Sequence, residues 1–143
     1  MKKITKILAF CSLAALLFSA CNVDNIGPKY TELDSDTDEV SFLQSTMTNK
    51  ALSATATTYS VPVVRAKADD ALTVTISSSS TNTSVVCPAS VTFAAGEYKV
   101  DFVLDIAGLA VGTTYSTTLT LTDENTYNAD KSITKSTITL VKK

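Results

Sequence analysis

The sequence predicts an all-β protein: a single seven-stranded Greek-key β-sandwich that follows a signal peptide and a flexible tether. After residue 39, apolar residues recur with a period of two, which is typical of half-buried strands. Polar connections separate these runs, and no segment after residue 20 has the 3.6-residue period of a helix. Seven short strands joined in this way favour a Greek-key sandwich over alternating strands and helices.

The first 20 residues have the composition of a signal peptide. Three lysines at positions 2, 3 and 6 precede the apolar segment 7–18, which only Ser12 interrupts. A transmembrane helix needs about 20 apolar residues, so this segment is too short to span a membrane. The pattern predicts an export signal that is removed from the mature protein.

The run Leu17-Phe18-Ser19-Ala20-Cys21 predicts a lipid attachment site at Cys21. Lipoprotein signal peptidase cuts at such a pattern, before a cysteine that carries a diacylglycerol thioether. A diacylglyceryl group with a further acyl chain anchors a protein durably, whereas one chain anchors it reversibly. An ordinary signal cut after Ala20 stays open as the alternative, although it places bulky Phe18 where a small residue is preferred.

Residues 21–38 predict an acidic, flexible tether, and residues 39–143 predict the folded domain. Gly27 and Pro28 interrupt the tether, which has no sustained apolar period. Asn22 is not the Asp that retains lipoproteins in the inner membrane. We therefore expect an outer-membrane anchor with the domain at the cell surface, and the periplasmic face stays open as the alternative.

Charge and composition exclude several functions. Residues 21–143 carry nine basic and 14 acidic residues, a net charge of −5, which argues against a nucleic-acid partner. The chain has no histidine, so histidine-dependent catalytic triads and zinc sites are excluded. Cys87 is the one cysteine left after residue 21 and cannot form an internal disulfide, so we expect a small buried apolar residue.

The predicted strands alternate apolar and polar residues along most of their length. In chain order they are residues 40–42, 59–66, 72–76, a broken strand at 85–88 and 91–93, then 98–106, 115–122 and 133–141. Tyr115 begins the sixth strand three residues after Gly112, a position typical of the tyrosine corner of Greek-key sandwiches. We expect a structural role for Tyr115, with ligand stacking as the alternative.

Several short runs resemble a known group of proteins. They are VPVVR at 61–65, LTVTI at 72–76, CPASVTFAAGE at 87–97, GTTY at 112–115 and LTL at 119–121. These runs are similar to those of the Calx-beta-like and immunoglobulin-like modules of Bacteroidetes surface lipoproteins, over residues 40–143. The resemblance implies an immunoglobulin-like sandwich. True Calx-beta domains bind calcium through acidic loop residues.

A seven-strand sandwich predicts which connections share an end. The end where the tether enters gathers five carboxylates, which would repel one another without a cation and so predict a weak calcium site. These are Asp69, Asp70, Glu97, Asp123 and Glu124. The opposite end gathers residues 77–84 and 107–112. There Leu109 and Val111 are interpreted either as an exposed contact tip or as plugs of the core.

These observations predict a non-enzymatic, membrane-anchored surface lipoprotein that acts as a binding, adhesion or accessory module. We expect a monomer without a required cofactor, held to the membrane by the lipid on Cys21, with a protein or glycan partner. The alternatives are a glycan-binding accessory protein of a polysaccharide-uptake system and a calcium-dependent adhesive module. The lack of tryptophan weighs against a flat sugar platform. Asp101 and Asp105 are the carboxylates that an enzymatic hypothesis would use.

Overall fold

The computed structural model describes residues 39–128 and 130–143. The predicted signal peptide, Cys21 and the tether lie outside the described residues. The described part is all-β, as predicted, and none of its helices is long and apolar enough to span a membrane. Its strands are β1 (Val40–Phe42), β2 (Thr46–Leu52), β3 (Thr58–Arg65), β4 (Leu72–Ser78), β5 (Ser90–Phe93), β6 (Lys99–Asp105), β7 (Thr114–Leu121) and β8 (Lys135–Lys142), with a 3₁₀ helix at Glu124–Thr126.

The strands form two sheets that enclose one core. One sheet has the order β1-β3-β6, and the other has the order β2-β8-β7-β4-β5. Neighbouring strands are antiparallel except β2 and β8, which are parallel. Both sheets contribute to the largest fully buried side chains, which include Tyr115, Phe42, Phe93, Phe102, Leu104, Ile106, Leu119, Leu121, Ile138 and Leu140.

Period-two patterning explains why these segments form strands. In β6, Phe102 and Leu104 are buried while Asp101 and Val103 are exposed, because successive side chains of a strand point to opposite faces. Burial of each large apolar side chain contributes about 1.5–3 kcal/mol. The predicted strand over residues 98–106 is confirmed with its ends trimmed to Lys99–Asp105.

The predicted count of seven strands is wrong, since the described residues contain eight. The additional strand, β2, has Met47 as its only fully buried residue, so no alternation marks it in the sequence. Its register with β8 shifts between Met47 and Lys50, where Asn49 has a φ of 53°. The predicted strand piece at 85–88 forms only a single bridge, between Val86 and Asp105.

One end of the sandwich, here called the acidic end, is formed by Glu39 and the connections 66–71, 94–98 and 122–134. Backbone hydrogen bonds join its parts: Ala66 N–H donates to Glu39 O at 2.9 Å, and Gly96 N–H donates to Ala68 O at 2.6 Å. The Asn128 side chain donates to the Glu39 carboxylate at 3.2 Å. The domain therefore begins, at Glu39, in the acidic end.

The opposite end, here called the loop end, is formed by the connections 53–57, 79–89 and 106–113. Ile106 N–H donates to Thr57 O at 2.8 Å, and Val86 N–H donates to Asp105 O at 2.9 Å. A Cβ added to Gly108 would lie 2.8 Å from the Ser84 backbone oxygen, so only glycine permits this approach of two connections.

Candidate functional site

The carboxylates of the acidic end make separate local contacts. Asp69 Oδ2 lies 3.3 Å from Lys67 Nζ in an exposed ion pair. Glu97 Oε2 accepts the Ala94 backbone N–H at 2.8 Å, which closes the turn between β5 and β6. Asp123 Oδ1 accepts the backbone N–H two residues further on at 3.1 Å and so caps the 3₁₀ helix.

These contacts do not create a common cation site. Asp70 and Glu124 are exposed. Across 39–128 and 130–143, no three acidic or cysteine side chains approach closely enough to hold a metal ion. The expected convergence of five carboxylates is therefore not found in this part of the chain, because short turns direct Asp69, Glu97 and Asp123 to different partners.

Arg65 is the charged group that the sequence reasoning missed at the acidic end. It ends β3, is only 3% exposed, and lies 5.1 Å from the centre of the Phe93 ring. Its guanidinium donates to the backbone oxygens of Glu97 at 2.7 Å, Asp70 at 2.7 Å and Ala94 at 2.8 Å. Arg65 thus ties two connections together and supplies a positive charge among the acidic residues. In the sequence, this role is indicated by a charged residue, Arg65, at the end of an otherwise apolar strand.

The two residues of the predicted contact tip have opposite environments. Leu109 is 3% exposed and belongs to the core, so of the two alternatives the core plug holds for Leu109 and the exposed tip does not. Leu109 N–H donates to Ile106 O in a turn that directs the side chain inward. Val111 is 59% exposed and remains a surface residue of the loop end.

Tyr115 is buried in the core at the loop end. Only 2% of its surface is exposed, so its ring face is not available for ligand stacking. Its hydroxyl is hydrogen-bonded to the Cys87 thiol at 3.6 Å, whereas a tyrosine corner would bond to the preceding connection. Burial raises the pKa of Tyr115 above its ordinary value of 10.0, and the bond to Cys87 adds to this rise, while Ser80 and Ser78 oppose it. Cys87 is half-buried and has a free thiol.

An open depression of approximately 430 Å³ lies above the Tyr115 hydroxyl; we call it the loop-end depression. Its volume falls within the range of about 300–1,000 Å³ that is usual for small-molecule sites, but it is much more open to solvent than the clefts that enclose such ligands. Hydroxyl and amide side chains lie along its wall, most of its lining surface is apolar, and none of the lining residues is charged. The lining residues are Ser78, Ser80, Thr81, Asn82, Thr83, Val85, Val86, Cys87 and Tyr115.

A series of side-chain to backbone hydrogen bonds shapes the wall of this depression. Ser80 N–H donates to Ser78 Oγ at 3.3 Å, and Asn82 N–H donates to Ser80 Oγ at 3.1 Å. Ser84 N–H then donates to Asn82 Oδ1 at 2.9 Å. Ser and Asn side chains favour such local bonds, which order a polar loop that buries little apolar surface. The sequence showed this segment only as a polar loop.

The carboxylates of the enzymatic hypothesis do not line this depression, although the backbone of Asp105 pairs with that of Val86, which does. Asp101 is exposed on β6, and Asp105 Oδ1 accepts the Ala107 backbone N–H at 2.9 Å. Both point away from the core because they alternate with its buried residues.

Comparisons with known proteins identify the fold. No protein-family model matches this sequence, and no curated protein matches it. The solved structures that are similar include a calcium binding domain CBD12 of CALX1.1, with a TM-score of 0.54, 15% identity and coverage of 73% of this chain and 44% of that one. A protein of unknown function from Bacteroides ovatus matches with a TM-score of 0.55 and 15% identity, over 76% of this chain and 46% of that one. The apo-form Calx CBD1 domain matches with a TM-score of 0.51 and 13% identity, over 73% of this chain and 96% of that one.

These likenesses define a class, the Calx-beta-like β-sandwich, as the resemblance implied. At identities of 13–15% they concern the fold alone. The chain spans less than half the length of the CBD12 and Bacteroides ovatus proteins that it matches.

Proposed function

We propose that this protein is a non-enzymatic surface lipoprotein, anchored in the outer membrane through a lipid on Cys21, that acts as a binding, adhesion or accessory module. The sequence around Cys21 supports the anchor, and the Calx-beta-like fold is compatible with a binding module. That the whole protein binds a partner, and that it serves a pathway through this binding, is likewise part of the proposal.

The arrangement of the two ends is the observation that carries the proposal. The domain begins at Glu39 in the acidic end, whereas the loop-end depression lies at the opposite end. An anchor that precedes Glu39 therefore leaves the depression on the far side of the domain from the point of attachment. A module built in this way binds its partner at the loop end.

A calcium-dependent role is a weaker candidate for this chain. The CBD12 structure is named as a calcium binding domain, but Arg65 here holds the carbonyl oxygens of two acidic-end connections. A guanidinium at that place supplies positive charge without a bound cation.

The anchor is tested by replacing Cys21. Wild-type protein should fractionate with the outer membrane, incorporate labelled palmitate, and show an acylated Cys21 at its mature N-terminus by mass spectrometry. Cys21→Ser should lose the label and leave the membrane fraction, because the thioether cannot form. Cys11→Ser is the matched control, since position 11 lies inside the predicted signal. A mature chain that begins at Asn22, or an unmodified Cys21, would contradict the proposal.

A further inference from the structure

The inward faces of β4 and β7 become polar where these strands reach the loop-end depression. The inward positions of β4 pass from Val74 and Ile76 to Ser78 as the strand approaches this end. The inward positions of β7 likewise change from leucines to Thr117 and the hydroxyl of Tyr115. Polar residues also occupy inward positions of β8, at Ser136 and Lys142, but those of β4 and β7 come together at one place, next to the depression.

These polar groups form one connected layer. Ser78 Oγ and Thr117 Oγ1 are hydrogen-bonded at 2.7 Å, and the hydroxyls of Ser78 and Ser80 also interact with that of Tyr115. Each hydroxyl has one donor and two acceptor sites, so the half-buried Ser78 and Ser80 keep capacity for a ligand. Ser78, Ser80 and Tyr115 of this layer line the depression, and Thr117 lies buried behind them.

The wall combines a free amide with an exposed apolar side chain. Asn82 uses its Oδ1 to hold Ser84 N–H, while its side-chain NH₂ has no partner among the described residues. Val86 is 60% exposed beside it. Because the lining carries no charge, an ionic ligand would lose water here without gaining a countercharge.

We propose that the loop-end depression binds a residue of a neutral saccharide; this rests on the proposed function and assigns a ligand class to the loop end. A pyranose ring presents hydroxyls at its rim and C–H groups on its faces, which match the hydroxyl and amide groups and the exposed Val86. The Tyr115 ring is buried and supplies no stacking platform, so the affinity is weak, on the order of 1 mM per saccharide residue. Weak sites of this kind act through repeated contacts with a polymer.

The test is a titration of the lipid-anchored protein in micelles of a detergent that contains no sugar. The probes are neutral oligosaccharides of glucose, mannose, galactose, xylose and N-acetylglucosamine, with oligogalacturonate as the charged comparison. At least one neutral probe should shift amide resonances of residues 78–87 in NMR spectra. Oligogalacturonate should not shift them.

Two variants locate the contact. Asn82→Asp keeps the oxygen that holds Ser84 N–H but replaces the NH₂ donors with a charge, and it should weaken binding about tenfold or more. Asn125→Ala, an exposed asparagine change at the acidic end, should bind as the wild type does.

Three results would overturn the inference: no response to any neutral probe, shifts confined to residues outside the loop end, or unchanged binding by Asn82→Asp. None of these results bears on the lipid at Cys21, so they are distinguishable from a failure of the proposed function. Conversely, if the mature wild-type protein carries no lipid on Cys21 and still responds to a saccharide, the proposed anchor is wrong and the ligand of the depression is unaffected.

Discussion

Leu109 and Val111 are apolar residues of the same loop, but their positions in it give them different contributions to the free energy of unfolding. Leu109→Ser should lower the free energy of unfolding by about 3 kcal/mol or more, because it removes a buried side chain and places a hydroxyl in the core. Val111→Ser should change it by less than about 0.5 kcal/mol, since that side chain is exposed. Urea unfolding of both variants measures this contrast. Equal losses, or none for Leu109→Ser, would contradict the burial of Leu109.

Ionisation of Tyr115 should lower the free energy of unfolding as the pH rises into the alkaline range. Its pKa is raised in the folded state by burial, so the folded protein retains the proton where an unfolded tyrosine, with an ordinary pKa of 10.0, releases it. The stability from this group is complete below pH 10.0 and is lost as the pH rises through the folded-state pKa.

Melting temperatures of wild type and Tyr115→Phe across the alkaline range test this dependence. Phenylalanine does not ionise, so the variant should lose stability less steeply above pH 10.0. Part of the decline should remain in the variant, because burial also raises the pKa of Tyr59. Identical alkaline slopes for the two proteins would show that Tyr115 does not contribute.

At the scale of elements, the strands were predictable where one face is buried. The alternation over residues 98–106 identifies β6 because Phe102 and Leu104 face the core. The same reasoning fails for β2, an edge strand with one buried residue and a register shift, since its position depends on pairing with the distant β8. Local periodicity does not report such pairing.

Side-chain partners within the connections could not be predicted in the same way. The sequence placed Asp70 and Glu97 at one end but did not show that their backbone oxygens both bind Arg65. Likewise, the polar composition of 77–84 predicted a loop but did not reveal the bonds that shape it around Tyr115. The contacts of Arg65 with Glu97 and of Cys87 with Tyr115 join residues 32 and 28 positions apart, so they depend on how the sheets pack. The bonds within the loop join residues two positions apart, but composition alone does not show which side chains make them.

The Arg65 contacts predict that calcium does not control the stability of the acidic end. Its guanidinium satisfies carbonyl oxygens of two connections, while Glu97 and Asp123 serve local backbone bonds. The thermal midpoint should therefore be the same with excess calcium and with a chelator. Magnesium at equal ionic strength is the control for non-specific screening. A midpoint that rises with calcium alone would restore the calcium site expected from the sequence.

At the scale of the whole molecule, the two ends of the sandwich are suited to different tasks. The acidic end is closed by Arg65 and receives the chain at Glu39, whereas the loop end keeps an uncharged depression open to solvent. In our account, the Calx-beta-like sandwich separates an attachment point from a binding surface, and the loop end is displayed at the cell surface.

Labelling of intact cells with a membrane-impermeant maleimide tests this display most directly. Thr83→Cys places a thiol on an exposed residue of the loop end, in a Cys87→Ala background. The account predicts labelling of this protein in intact cells. It also predicts no labelling of the Cys87→Ala background alone, because the sulfur of Cys21 would be held in a thioether. Labelling of Thr83→Cys only after the outer membrane is permeabilised would contradict surface display.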